Sequence, residues 1–459
     1  MDSDILIKTS NWYSNSVYLR VAFRVNNNGT QNIKHITDGF RCVSRSKIKI
    51  NIVVQKSVIS LLLMMIILVG FVRAKDTKEM VVGSVKELKD VKTKKVTWKK
   101  DRTKMILLSF TSGEIGKRKD QINPILSTVI DNNKIPGIVA AISSSKGLLF
   151  SSASGIRRFN NPDPMKTDDL VHLGSCTKAM TSTLLAILIT EGKLNWESTL
   201  IEALPELKDL IHPNYELATL RKLVTHRSGM PANANNWWDH SDERDIKVRR
   251  LKILKDSLAT EPATKVGDYL YSNLGYMVAG CMAEKVTGKS WETLIQEKLF
   301  QPLGMNTASF GLPGTPGQSD QPWGHLESDI GWEASQLDNS EPLGPAGRVH
   351  CSLADWAKFL SLQLPNSNSI IQNQQQLDQL IEPVGNYAAG WGVYQDNRVK
   401  GTVLTHDGSN TMWYARVWVA PNIDRAYMVV MNAAFKNSNK SATICEQVIN
   451  ELIKIDQEQ

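Results

Sequence analysis

The order of apolar patterns predicts an α+β fold: one antiparallel sheet flanked by terminal helices, with an all-helical lobe inserted between its halves. Two observations carry this. Strand-like runs cluster at both ends of the region after about residue 119, each next to an amphipathic helix, and the stretch from about 175 to 300 reads as mainly helical.

Each element has its own signal. Ile122, Ile125, Leu126, Val129 and Ile130 recur at helical spacing, and Asn132-Asn133 closes the helix. Residues 138–143 and 148–152 form a hairpin around the turn at Lys146-Gly147. Met180, Leu184, Leu185, Ile187 and Leu188 mark a buried helix that stops at Glu191-Gly192. The polar stretch 372–379 reads as a surface helix or loop. Residues 403–406, 413–420 and 426–431 are three successive strands, and Ile444, Val448, Ile449 and Leu452 make the last helix. No internal repeat is seen.

The chemistry begins at Ser175-Cys176-Thr177-Lys178, at the head of that buried helix. A serine hydroxyl is a weak nucleophile and needs a neighbour to take its proton. One helical turn puts residues three apart on one face, so Lys178 reaches the Ser175 hydroxyl. A desolvated lysine loses its proton more easily and can serve as that base. Ser-x-x-Lys also occurs at Ser44, Ser46 and Ser143, but none of these opens an apolar helix. Two further patterns follow in order: Tyr271-Ser272-Asn273, and His406-Asp407-Gly408 at the end of an apolar strand.

Around them, Leu223–Pro231 reads LVTHRSGMP, Gln301–Met305 reads QPLGM, Pro345-Ala346-Gly347 precedes Ser352-Leu353-Ala354-Asp355, and Ala389–Gly392 reads AGWG. In these segments and their order, residues 119 to 455 resemble the serine β-lactamase and penicillin-binding-protein superfamily, in its class C-like branch. The resemblance implies two lobes with the site between them. It implies that Ser175 attacks a carbonyl to form an acyl-enzyme, with Lys178 and Tyr271 sharing the proton work. Asn273 would hold the substrate's amide or carbonyl, and Gly408 would let the strand backbone approach the substrate. The oxyanion hole would be the N–H groups of Ser175 and Ser409. His406, expected with Asn273, Gly408 and Ser409 to bind substrate, takes a place where many relatives carry lysine, so the cation that would meet a substrate carboxylate is missing, and Asp407 adds a negative charge nearby. No metal or organic cofactor is implied.

Charge separates the chain into two parts. Residues 1–118 hold 23 Lys and Arg against nine Asp and Glu, whereas the remainder is net acidic. The overall charge of +8 therefore gives no support to a nucleic-acid partner. Residues 1–56 are an extension of unclear status. Residues 57–74 read as a signal peptide or signal-anchor: basic residues precede an apolar run, and Val72-Arg73-Ala74 follows it. Residues 75–118 read as a basic linker and 119–459 as the catalytic domain. The expectation is a secreted or membrane-anchored protein, associated with membrane through 57–73 if the run stays attached; a mitochondrial presequence is the alternative, weakened by Asp2 and Asp4. The five cysteines show no metal-ligand spacing. The expected activity is serine hydrolysis of an ester or amide in a small peptide, ester or β-lactam-like substrate. The alternative is a catalytically idle, self-assembling scaffold of the same fold.

Overall fold

The computed structural model describes residues 112–458, except 330, 366–369 and 372, and two short strands before them; side chains are described from residue 121 onward. The chain divides at Leu107/Leu108. In the first unit, Asp4–Lys8 pairs antiparallel with Tyr18–Ala22. The apolar run 57–73 and Cys42 lie outside the described residues. Among the described residues no helix is long and apolar enough to cross a membrane.

The second unit is built on a seven-stranded antiparallel sheet. Helix α1 (Ser112–Asn133) starts a little before residue 119 and leads into the hairpin β1 (Gly137–Ser144) and β2 (Gly147–Arg158), followed by the short β3 (Asn161–Pro164). The sheet is completed near the C-terminus by β4 (Gly392–Asp396), β5 (Gly401–Ser409), β6 (Tyr414–Ala420) and β7 (Arg425–Met431). Their spatial order is β4-β5-β6-β7-β1-β2-β3. The hairpin thus inserts beside the last strand, which is why both ends of the sequence were needed to see one sheet.

Strand alternation gives the sheet two apolar faces. Ile138, Ala140 and Ile142 of β1 pack with Trp418, Tyr427 and Val429 under the terminal helices, α1 and the C-terminal helix Ser438–Gln457. Val139 and Ala141 point the other way, into the helical lobe. That lobe is led by α2 (Thr177–Thr190), most of whose residues are buried, with α4 (Asn273–Thr287) packed on it and α3 (Ile246–Leu258) packed on α4. Short helices fill residues 200–224. These are set by caps rather than periodicity: Thr199 and Thr219 accept hydrogen bonds from the amides of Glu202 and Lys222. The glutamine-rich stretch is helical over Gln374–Ile381.

Candidate active site

The nucleophile turn lies where α2 meets β5. Gly174–Cys176 is a single tight turn running into α2. β5 crosses it so closely that a methyl group at Gly408 would overlap the Leu173 carbonyl, and one at Gly174 would overlap the Ser409 amide. Gly408 is therefore a packing requirement between two pieces of backbone. The space a side chain would take there is filled by the Leu173–Cys176 turn. The same contact brings the Ser409 amide against Gly174, the residue before Ser175.

The second motif arrives on α4. Ser272 caps that helix, accepting from the Gly275 amide at 2.9 Å and donating to the Pro231 carbonyl at 2.6 Å. The cap leaves Tyr271 and Asn273 on either side, both facing the turn. Lys178 is wholly buried at the centre. Its Nζ is 3.0 Å from Ser175 Oγ, 2.7 Å from Asn273 Oδ1 and 2.8 Å from the Ala346 carbonyl. Asn273 Nδ2 donates to Asn233 Oδ1 at 2.9 Å, which fixes the amide with its oxygen toward Lys178.

Burial lowers the Lys178 pKa well below its usual 10.5. A neutral amine has two N–H donors and one lone pair. The Asn273 and Ala346 oxygens can only accept, so they take the two N–H groups. The lone pair is then directed at the Ser175 hydroxyl, the arrangement a general base needs.

Tyr271 is hydrogen-bonded to Ser175. Burial pushes its phenol pKa well above the usual 10, and this outweighs that opposing hydrogen bond, so burial favours the neutral phenol. Lys178 Nζ sits 4.8 Å from its ring centroid. Cys176 is buried, its thiol points at the His406 carbonyl, and burial pushes its pKa up, so it is a packing group of the turn.

The third motif divides between the two faces of the sheet. His406 turns toward the site, with its ring 6.3 Å from that of Tyr271. Its Nδ1 is 2.5 Å from the Asp407 carbonyl and its Nε2 is 2.9 Å from the Tyr387 hydroxyl. Both ring nitrogens thus have protein partners. Asp407, next along the strand, points to the opposite face, where Arg416 pairs with it at 3.0 Å. Its charge does not enter the site, contrary to expectation. Arg348 is likewise structural, 3.1 Å from Asp338. Burial opposes the Asp338 charge, but His172, Asn410 and Arg348 together hold its carboxylate well below the usual range.

Sequence reasoning did not find the Ala346 carbonyl, Asn233 or Tyr387. Signals existed for two of them: Ala346 belongs to the Pro-Ala-Gly segment, and Tyr387 stands just before Ala389-Gly390-Trp391-Gly392.

A family model described as Beta-lactamase matches residues 122–444. The chain belongs to the β-lactamase family. It is 24% identical over 375 residues to unguisins hydrolase ungD′ of Aspergillus campestris, a match covering 74% of this chain and 68% of that protein. The chain thus spans about two thirds of that relative's length. Among solved structures, a class C β-lactamase from Rhodobacter sphaeroides aligns with a TM-score of 0.60 at 19% identity, over 73% of this chain and 99% of that one. D-amino acid amidase from Ochrobactrum anthropi SV3 aligns with a TM-score of 0.61 at 19% identity, over 74% and 99%. At these identities the structural likeness shows the fold, a β-lactamase and transpeptidase fold with the antiparallel sheet and helical lobe read from the sequence.

Proposed function

We propose that this chain is a serine hydrolase that cleaves an ester or amide through an acyl-enzyme at Ser175. The observation that carries the reading is the setting of Lys178: a buried amine with both N–H groups held by carbonyl oxygens and its lone pair aimed at the hydroxyl of a partly buried serine. The family supports a hydrolase, since one relative hydrolyses unguisins and one structural neighbour is an amidase.

As Ser175 Oγ attacks the carbonyl carbon, its proton moves to Lys178 Nζ. The carbonyl π electrons move to oxygen, which the amides of Ser175 and Ser409 receive. The Tyr271 phenol, hydrogen-bonded to Ser175, gives its proton to the leaving oxygen or nitrogen and is reprotonated from Lys178. Water then attacks the acyl-enzyme by the reverse proton path. Asn273 holds the amine in register. The substrate class is a small peptide, ester or β-lactam-like molecule. The apolar run 57–73, as signal or anchor, would carry the catalytic unit out of the cytosol; membrane fractionation of the full chain tests that part.

A panel of p-nitrophenyl esters and p-nitroanilide amides tests the reaction. Wild-type protein should turn over at least one class, and Ser175→Ala none of it. Turnover surviving Ser175→Ala would assign the reaction elsewhere.

A further inference from the structure

The residue before the nucleophile is under two restraints. Gly174 takes a left-handed backbone, with φ at +50°, and the Ser409 amide of β5 leaves no room there for a side chain. The Gly174 amide also donates to His172 Nδ1 at 3.1 Å. A ring nitrogen that accepts carries no proton, so the neutral ring holds its proton on Nε2. That Nε2 lies 3.0 Å from Asp338 Oδ1. His172 is wholly buried, and the Asp338 side chain is nearly so.

The same carboxylate reaches the end of β5. Asn410 Nδ2 donates to Asp338 Oδ1 at 3.0 Å. Asn410 directly follows Ser409 and is buried, and its own Oδ1 accepts from the amides of Met412 and Trp413 at 3.2 and 3.0 Å. It therefore shapes the turn from β5 into β6. Arg348 takes the other carboxylate oxygen at 3.1 Å. One carboxylate thus holds, through one side chain each, the residue before Ser175 and the residue after Ser409. Its two neighbours extend the tie. Asn339 Nδ2 donates at 2.9 Å to the Gly347 carbonyl, next to the Ala346 carbonyl that holds Lys178. Ser340 Oγ donates to the Trp237 carbonyl at 2.6 Å.

We propose that Asp338 is a positioning residue of the catalytic site. Acting through His172 and Asn410, it sets the spacing of the Ser175 and Ser409 amides; this rests on the reading that Ser175 attacks and that these two amides receive the oxygen. An ionised carboxylate accepts and never donates, so it keeps His172 in the tautomer whose Nδ1 faces the Gly174 amide. Amides aimed at an oxyanion matter only as charge develops on the oxygen. Loosening them acts on the transition state and leaves substrate binding little changed. A tie that served the fold alone would act on stability instead.

Kinetics of the full-length protein on p-nitrophenyl butyrate test this, beside its affinity for phenylboronic acid, whose boron takes up Ser175 Oγ and becomes tetrahedral. Asp338→Ala should lower kcat about tenfold or more with little change in KM, and weaken the boronate by a similar factor. His172→Phe keeps a ring but cannot accept from the Gly174 amide, and it should do the same. His172→Asn restores an acceptor oxygen where Nδ1 stood and should recover most of that loss. Because Asp338→Ala strips the acceptor from three donors and could unfold the protein, the two His172 variants decide the matter if it does. Near-native kcat and boronate affinity in a folded Asp338→Ala or His172→Phe, with only the melting temperature lowered, would overturn the positioning role. Equal losses in His172→Phe and His172→Asn would overturn it too, and both results leave Ser175 as nucleophile. Wild-type protein that neither hydrolyses the ester nor takes up the boronate, or turnover that survives Ser175→Ala, would overturn the underlying reading as well.

Discussion

At the scale of single residues, the site depends on a proton count. Lys178 must be neutral before attack, and burial favours that form. Activity should therefore fall on the acid side, as Lys178 takes up a proton, and reach its plateau at a pH well below 10.5. A rate that rises only as pH approaches 10.5 would show an ordinary, solvated lysine. General acid–base groups contribute about 10²–10⁴-fold. Lys178→Ala and Tyr271→Phe should each lower kcat by that order with little change in KM, and the double variant should lose far less than the product, since both serve one proton path. Near-native turnover in a folded Tyr271→Phe would make Tyr271 structural. Ser175 and Lys178 were legible because their relation is local, one helical turn. Tyr271 and Asn273 stood out as a phenol and an amide two residues apart, whereas the Ser272 cap that positions them was not read. The Ala346 carbonyl was not, because a backbone acceptor leaves no side-chain signature. Tyr387 was not, because it reaches His406 from an irregular turn.

At the scale of elements, the site depends on β5 lying against the nucleophile turn. Gly408→Ala forces the strand away from the Leu173 carbonyl. Overpacking of this kind costs about 1–3 kcal/mol, and the displaced Ser409 amide should take activity with it. Gly147→Ala is the comparison: its φ is +107°, but a methyl group there meets nothing within 4 Å. It should lose about 1–2 kcal/mol through backbone strain alone and keep full activity. Denaturant unfolding alongside ester kinetics checks both; a fully active Gly408→Ala would show that the close crossing is dispensable. The strands themselves were readable from alternation, though β2 extends past the expected residue 152 to Arg158. What periodicity could not show was the crossing of β5 over the turn, a long-range contact that only the folded chain contains, and the capped helices of four or five residues in the lobe.

At the scale of the whole molecule, buried histidines tie stability to pH. Desolvation lowers His325 and His350 from the usual 6.5 to about 4 and His406 to about 3, and it places His226 well below 6.5. Below pH 6.5 the unfolded chain binds protons at these positions and the folded one does not. The stability they contribute is therefore complete above 6.5 and is lost as pH falls toward 4 and 3. Each histidine costs about 1.4 kcal/mol per pH unit while its two states differ. The melting temperature should be steady just above pH 6.5 and drop steeply between 6.5 and 4; a flat profile across that interval would mean the rings are solvated. The charge reversal near residue 118 is legible because the two parts differ in composition, and the family model's match begins shortly after it, at residue 122. The central claim, that Ser175 is the group Lys178 activates, is tested most directly by intact-mass analysis of the whole chain after treatment with a fluorophosphonate probe. One adduct is expected, mapped to the peptide holding Ser175, absent in Ser175→Ala and strongly slowed in Lys178→Ala. An adduct on Cys176, or labelling undiminished in Ser175→Ala, would contradict it.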